Sequence, residues 1–363
     1  MRYYVEEKKN KFAYIQLYEQ IREDIVKGVL SYGTKLPSKR LLAEETDTSV
    51  ITVEHTYSIL CEEGYIESRE RSGYFVIYQE KDFWSSGDPA ERKSVKNDTI
   101  SYTQGVKCDF PFSVLSKTMR KVLAEYREEI LVKSPNQGCL ELRCAISNYL
   151  VRSNGITVRP EQIIIGSGAE YFYSLIVQLL ANHVKFALED PSYSKIQKVY
   201  EANGIACDLL ELGQDGIKSE KLSKTDATVL HITPFHSFPS GVTASVSKRH
   251  EYLRWAENRN GYIIEDNYDS ELTVSKKNED TVFSLSDEGR VIYLNTFSHT
   301  IAPSIRIGYM VLPEQMLEDF QEKLGFYSCS VPVFEQYVLA ELINSGDFER
   351  HINRVRRARR KAM

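Results

Sequence analysis

The sequence has no run of eighteen apolar residues, so it offers no hydrophobic membrane-spanning helix. Its opening, MRYYVEEKKN, lacks the apolar core of a secretory signal. The six cysteines, Cys61, Cys108, Cys139, Cys144, Cys207 and Cys329, include no C-x-x-C pair. Scattered thiols in a chain of this size read as reduced and cytoplasmic, not as a disulfide or zinc framework. There is no internal repeat. There is also no excess of positive charge: 46 Lys and Arg against 51 Asp and Glu leave a net charge of −5. That balance argues against a chain driven as a whole onto a polyanion, yet leaves room for a small DNA-reading module, because local charge decides such binding. What remains is a 363-residue chain, 42% hydrophobic, with material for two or three folded domains.

A polar stretch, QEKDFWSSGDPAERKSVKNDT (79–99), divides two patterns and reads as a linker. Before it, AYIQLYEQIREDIVKG (13–28) sets Ile15, Tyr18, Ile21 and Ile25 on one helical face and ends at Gly28. LPSKRLLAEET (36–46) predicts a second helix with Ser38 as its N-cap and Leu41 and Leu42 inward. TSVITVEHTYSILCEEGYI (48–66) predicts a third through Ile51, Val53, Tyr57 and Leu60, after a turn at Thr46 to Thr48. Two short strands follow around Arg69 to Gly73. Three helices and a two-strand ribbon predict a winged helix-turn-helix. A recognition helix presents its N-terminal end to the major groove, so Ser49, Thr52, Glu54 and His55 are candidates there, with Lys39 and Arg40 on the preceding helix and Arg69 and Arg71 in the wing.

After the linker, apolar strands at 161–168, 183–190, 227–234, 261–267 and 291–297 alternate with helical segments. This predicts an α/β domain with a mostly parallel sheet, whose ligand lies at the C-terminal strand ends. Those ends carry Gly166-Ser167-Gly168, Asp190 to Tyr193, Pro234, Asp266-Asn267-Tyr268 and Ser298-His299. GSGAEY (166–171) opens a helix after a strand, where amides of Ser167, Gly168 and Ala169 suit one phosphate; the dinucleotide pattern is incomplete. A carboxylate such as Asp266 can hold a pyridinium nitrogen protonated. Tyr268 suits a phenolic oxygen, Tyr193 the ring or ligand, and Ser298 and Arg306 phosphate oxygens. Singly, each has a plain structural reading: a cap for Asp266, a packed ring for Tyr268, a surface pair for Arg306. Together they converge on pyridoxal phosphate. His231 and His236, five apart without a Cys or carboxylate set, make a poor metal pair.

The segment GTKLPSKRLLAEETDTSVITVEHTYSILCEEGYIESRERSGYFV resembles the winged helix of GntR-type regulators through LPS-x-R-x-LA, TV-x-x-x-Y-x-x-L and EGY. Where that family has Ser-Arg, this chain has Ser49-Val50, which implies a weaker grip on DNA. Acidic residues in the module match or exceed basic ones. Each lost phosphate contact lowers the salt slope by roughly one. From Tyr102 to about Arg360 the chain resembles the fold-type I aminotransferase domain of MocR-type regulators, close to the branch that includes the activator of γ-aminobutyrate utilisation. The carrying segments are SPNQGCLELRCAISNYL (134–150), EQIIIGSGAE (161–170), LEDPSYS (188–194), TPFHSFPSGVTASVSKR (233–249), YIIEDNYDSE (262–271) and NTFSHTIAPSIRIGYMVLP (295–313).

The resemblance implies a winged helix over 11–79, a linker over 80–100 and an aminotransferase-like domain over 101–363. By resemblance Asp266 partners the ring nitrogen, Tyr268 the ring oxygen, Ser298 and Arg306 the phosphate, and His236 stands for the family's His in Pro-x-His-x-x-Pro. The family's Ser-Lys-Thr or Ser-Lys-Ser is here Ser298-His299-Thr300. That lysine supplies a primary amine for a covalent cofactor link; imidazole has none, although it can carry a proton. The family's C-terminal small domain is expected to be truncated or absent, with INRVRRARRKAM (352–363) as the start of the helix leading to it and its basic run a solvated face. These features imply a cytoplasmic, head-to-tail homodimeric regulator that binds double-stranded operator DNA, with non-covalent pyridoxal phosphate and a small amine or amino-acid effector. An active aminotransferase carrying a DNA module, and a degenerate dimerisation scaffold, are the alternatives.

Overall fold

The computed structural model describes residues 3–5, 11–79, 110–180, 185–273 and 280–362. The linker expected over 80–100 lies outside them. The chain divides into two units, Met1–Ser101 and Tyr102–Met363.

In the first unit three helices pack around one apolar cluster: α1 (Ala13–Val26), α2 (Lys39–Glu45) and α3 (Val50–Glu62). Gly28, at φ +74, ends the first helix in the left-handed region. Ser38 caps α2 by accepting from the Leu41 amide, and Ser49 caps α3 by accepting from the Thr52 amide. The strands β1 (Ile66–Arg69) and β2 (Gly73–Val76) pair antiparallel, and Lys35 adds a bridge to Phe75. Leu17, Ile21, Ile25, Leu42, Val53, Tyr57 and Leu60 are buried. Four apolar assignments differ from expectation. Leu41 and Ile51 face outward, because the interior stripes are set by Leu42 and Val53, one and two residues on. Ile15 and Tyr18 are only half-buried; Leu17 takes the central place, and the Tyr18 hydroxyl reaches the Glu63 carboxylate instead.

The second unit begins its described part with α4 (Phe112–Tyr126) and α5 (Leu140–Asn154). A seven-stranded sheet follows: β3 (Ile163–Gly166), β4 (Lys185–Asp190), β5 (Ala206–Glu211), β6 (Val229–Ile232), β7 (Tyr262–Asp266), β8 (Val291–Thr296) and β9 (Gly308–Val311). Its order is β3-β9-β8-β7-β6-β4-β5. Only β9 runs antiparallel to its neighbours. The strands β3, β4, β6, β7, β8 and β9 read as unbroken buried runs apart from their end positions, the mark of a sheet covered on both faces. The helices α6 (Ala169–Leu179), α7 (Ser194–Ala202), α8 (Ser219–Lys224), α9 (Val246–Asn258), α10 (Leu317–Leu324), α11 (Val333–Asn344) and α12 (Asp347–Ala362) complete the unit. Separate apolar clusters join α5 and α11 to the sheet, α6, α7 and α10 to it, and α8 and α9 to it. Two strands went unread in the sequence. The edge strand β5 has a mixed ACDLLE pattern with little burial, and β9 is a four-residue piece that begins two residues after Arg306. Among the described residues no helix is long and apolar enough to cross a membrane.

Candidate functional site

Parallel strands deliver their C-terminal residues to one edge of the sheet, and a cavity of about 280 Å³ opens there. Asp266, Tyr268, Ser298, His299 and Arg306 line it together with Tyr193 and Ala169.

Asp266 is the last residue of β7 and is buried. Tyr173, one turn into α6, donates from its hydroxyl to Oδ2 of Asp266 at 2.5 Å. His231 Nε2 lies 3.8 Å from the same oxygen, and its Nδ1 meets the Tyr200 hydroxyl at 2.7 Å. Burial, with the Asp266 carboxylate beside it, holds the Tyr173 phenol well above its usual range, so it remains a donor. Tyr268 donates to the backbone carbonyl of His236 at 3.0 Å, and its ring meets His299 edge-on with centroids 5.2 Å apart. Burial, then the carboxylates of Asp269 and Asp266, push its phenol up to about 12.

At the other end of the cavity lies the N-terminus of α6. Gly168 takes φ +100 and no side chain caps the helix. A Cβ at Gly168 would stand 2.9 Å from an Arg306 guanidinium nitrogen, so glycine permits that approach. The Arg306 guanidinium pairs with the Glu170 carboxylate, which also accepts from Lys195 at 3.0 Å. The resident anion of this cationic corner is thus a side chain of the protein. Ser298 donates to the Ile305 carbonyl at 2.8 Å, which closes the turn between β8 and β9.

Three expected ligand residues, Ser167, Gly168 and His236, stand apart from the cavity wall. The Ser167 amide is turned to Ser330 Oγ at 3.1 Å. The His236 ring faces Asp269, with Nδ1 3.5 Å from Oδ2, and only its carbonyl meets the site, through Tyr268. Gly168 contributes backbone shape. Tyr173, Glu170, Thr233 and Phe238 line the cavity and were not singled out from the sequence. Helical spacing did place Tyr173 four residues after Ala169, on the face above the helix start. Phe238 and Thr233 come from loops whose course the sequence does not set.

His299 and Arg306 also border a second cavity of about 610 Å³, walled by His351, Arg354 and Arg359 of α12. The basic run on that helix is not simply a solvated face. Arg356 donates to the Glu271 carbonyl at 2.5 Å, and Arg359 donates to Leu272 O at 3.2 Å and reaches Asp269 at 3.4 Å.

In the first unit, Ser49, Arg40, His55, Arg69 and Arg71 are exposed, and Lys39 and Thr52 partly so. Lys39 donates to Glu54 at 2.6 Å, and Arg69 pairs with Glu67 at 2.6 Å while lying over the Phe75 ring. His55 packs against Tyr14. Arg71 sits at the tip of the wing turn with φ +58.

Comparison with known proteins places both units. Residues 13–76 match the bacterial regulatory proteins of the gntR family, and residues 102–363 match aminotransferase class I and II. The chain is 35% identical over 355 residues to the HTH-type transcriptional regulator YdeL of Bacillus subtilis, covering 96% of this chain and 77% of that protein. It is 29% identical to the probable rhizopine catabolism regulatory protein MocR of Rhizobium meliloti, covering 94% and 74%. An archaeal alanine:glyoxylate aminotransferase shares the fold at a TM-score of 0.61 and 24% identity, over 67% of this chain and 62% of that one. The chain therefore spans about three quarters of those regulators and less than two thirds of that enzyme. With its helix-turn-helix unit followed by an aminotransferase-like unit, the chain belongs to the MocR-type transcriptional regulators of the GntR family.

Proposed function

We propose that the first unit binds a double-stranded DNA operator, and that the second binds pyridoxal phosphate, or its adduct with a small amine or amino acid, as an effector held without a covalent bond. The observation that carries this reading is the convergence of Asp266, Tyr268, Ser298, His299 and Arg306 on one cavity. The donor set fits the group. Asp266, fixed by Tyr173, suits the ring nitrogen. The Tyr268 hydroxyl suits the ring oxygen. The uncapped α6 start and Arg306 suit the phosphate, once Arg306 exchanges Glu170 for it. Pyridoxal phosphate bound there supplies an electron-withdrawing ring. His299 stands where the family's lysine stands. It offers no primary amine and can only hold or pass a proton, so this reading assigns the site to sensing and not to turnover.

Sensing requires that the ligand favour one arrangement of the protein over another, and operator affinity then follows by linkage. The working form in this reading is a cytoplasmic head-to-tail homodimer. The test is a cofactor titration of the full chain and of His299→Lys. The wild type should take up pyridoxal phosphate reversibly on dialysis and give no borohydride-trapped adduct at position 299. The lysine variant should give that adduct by mass spectrometry. Failure of both proteins to bind the cofactor would overturn the assignment of Asp266 and Arg306.

A further inference from the structure

Ser49 caps α3, so Val50 and Ile51 are the first two residues of the helix that follows the turn of the helix-turn-helix. Ile51 is 72% exposed and Val50 42%. Helical spacing puts Ile51, Glu54, His55 and Ser58 in one row, and all four are exposed. Val53, Tyr57 and Leu60 meanwhile hold the opposite face in the interior. A large apolar side chain at the head of a solvent row stays in contact with water until something covers it.

The neighbours indicate what covers it. Ser49 and Thr52 place two hydroxyls 2.8 Å apart beside it, and His55 lies one turn on. These are short polar groups of the kind that meet base edges. Charge points the same way. Of the basic residues around this face, Lys39 already holds Glu54 and Arg69 already holds Glu67. A module with part of its positive charge neutralised gains less from phosphates, and its base contacts carry more of the recognition. The apolar group that a base edge offers in the major groove is the C5-methyl of thymine. We infer that Val50 and Ile51 are specificity determinants that pack on thymine methyl groups, with Ile51 as the principal contact. The inference rests on the DNA-binding reading and deepens it: the operator carries thymine at the bases facing the start of α3.

The experiment uses the full chain and a random-sequence duplex library. Retained duplexes are resynthesised with deoxyuridine in place of thymidine, which removes only the methyl groups. Wild-type binding should fall at least about fourfold on the uracil duplex, the effect of one methyl withdrawn from an apolar contact. The double variant Val50→Ala/Ile51→Ala, two surface changes that leave the interior intact, should bind the thymine duplex more weakly and no longer distinguish the two, and Ile51→Ala alone should lose most of the preference. Equal wild-type binding to both duplexes overturns the inference and leaves DNA binding standing. A full thymine preference that survives in the double variant also overturns it, since DNA shape and not contact is then being read. If no duplex is retained, the DNA-binding reading fails, and this inference with it.

Discussion

At position 299 an imidazole stands at the junction of two cavities, edge-on to Tyr268. In the proposed reading, imidazole at this place offers no primary amine for a covalent link to a cofactor. The sequence displayed this histidine without any coordinates, because it falls inside the well-marked stretch NTFSHTIAPSIRIGY. It did not display Glu170. That carboxylate sits in the first turn of α6 and pairs with both Arg306 and Lys195, so under the proposed function an incoming phosphate competes with it for Arg306. Glu170→Gln should therefore tighten binding of inorganic phosphate and of pyridoxal phosphate by about fivefold, from a change of ~1 kcal/mol at a partly exposed charge. Calorimetric titration reads this directly. Unchanged or weaker binding would show that Glu170 lies outside the anion's place.

At the scale of elements, the helices of the first unit were legible because their caps and stops are local chemistry. Ser38 caps α2 and Gly28 ends α1 as their sequence positions dictate, while the Ser49 cap of α3 was not singled out. Their inward faces were less legible. In short helices of mixed composition, Leu41 or Leu42, Ile51 or Val53 satisfy a pattern almost equally, and only the packing of the helices into one cluster decides between them. Two substitutions separate the roles. Ser49→Ala removes the acceptor for the Thr52 amide at 3.1 Å and should cost about 1 kcal/mol of local stability. Leu17→Ala empties a fully buried place on α1 and should cost about 2–5 kcal/mol. Amide hydrogen exchange within residues 11–79 measures both. Equal costs would contradict the burial assigned to Leu17. In the second unit the strands β3, β4, β6, β7 and β8 were legible as apolar runs. The edge strand β5, with its half-exposed alternation, was not.

At the scale of the whole molecule, the sheet order carries the site. The neighbouring strands β6, β7 and β8, and β4 beyond them, end at one edge, so residues from 169 to 306 in the chain meet there. The same topology buries carboxylates. Burial pushes Glu189 up to about 8 and Glu271 up to about 7, with Ser237 and Asn295 as their respective hydrogen-bond donors. A carboxyl whose pKa is raised by folding holds a proton in the folded chain that the unfolded chain releases. Stability therefore falls as pH rises from about 4.5 towards about 8 and levels off above that. Glu189→Gln, which keeps an acceptor for Ser237, should flatten this slope in thermal unfolding followed across the range. Glu271 leaves a residual slope ending near 7. A variant with the wild-type slope would show that Glu189 is not the group responsible.

The sequence by itself determined the two-part organisation, the helix caps, the runs of the central strands and the identity of the residue at 299, because each is written in contiguous residues. Tertiary structure alone decided that Tyr173 fixes Asp266, that Glu170 occupies Arg306, that His236 and Ser167 turn away from the cavity, and that Ile51 faces solvent. Those outcomes depend on which distant segments come to lie side by side, and neither periodicity nor spacing along one segment records the approach of another.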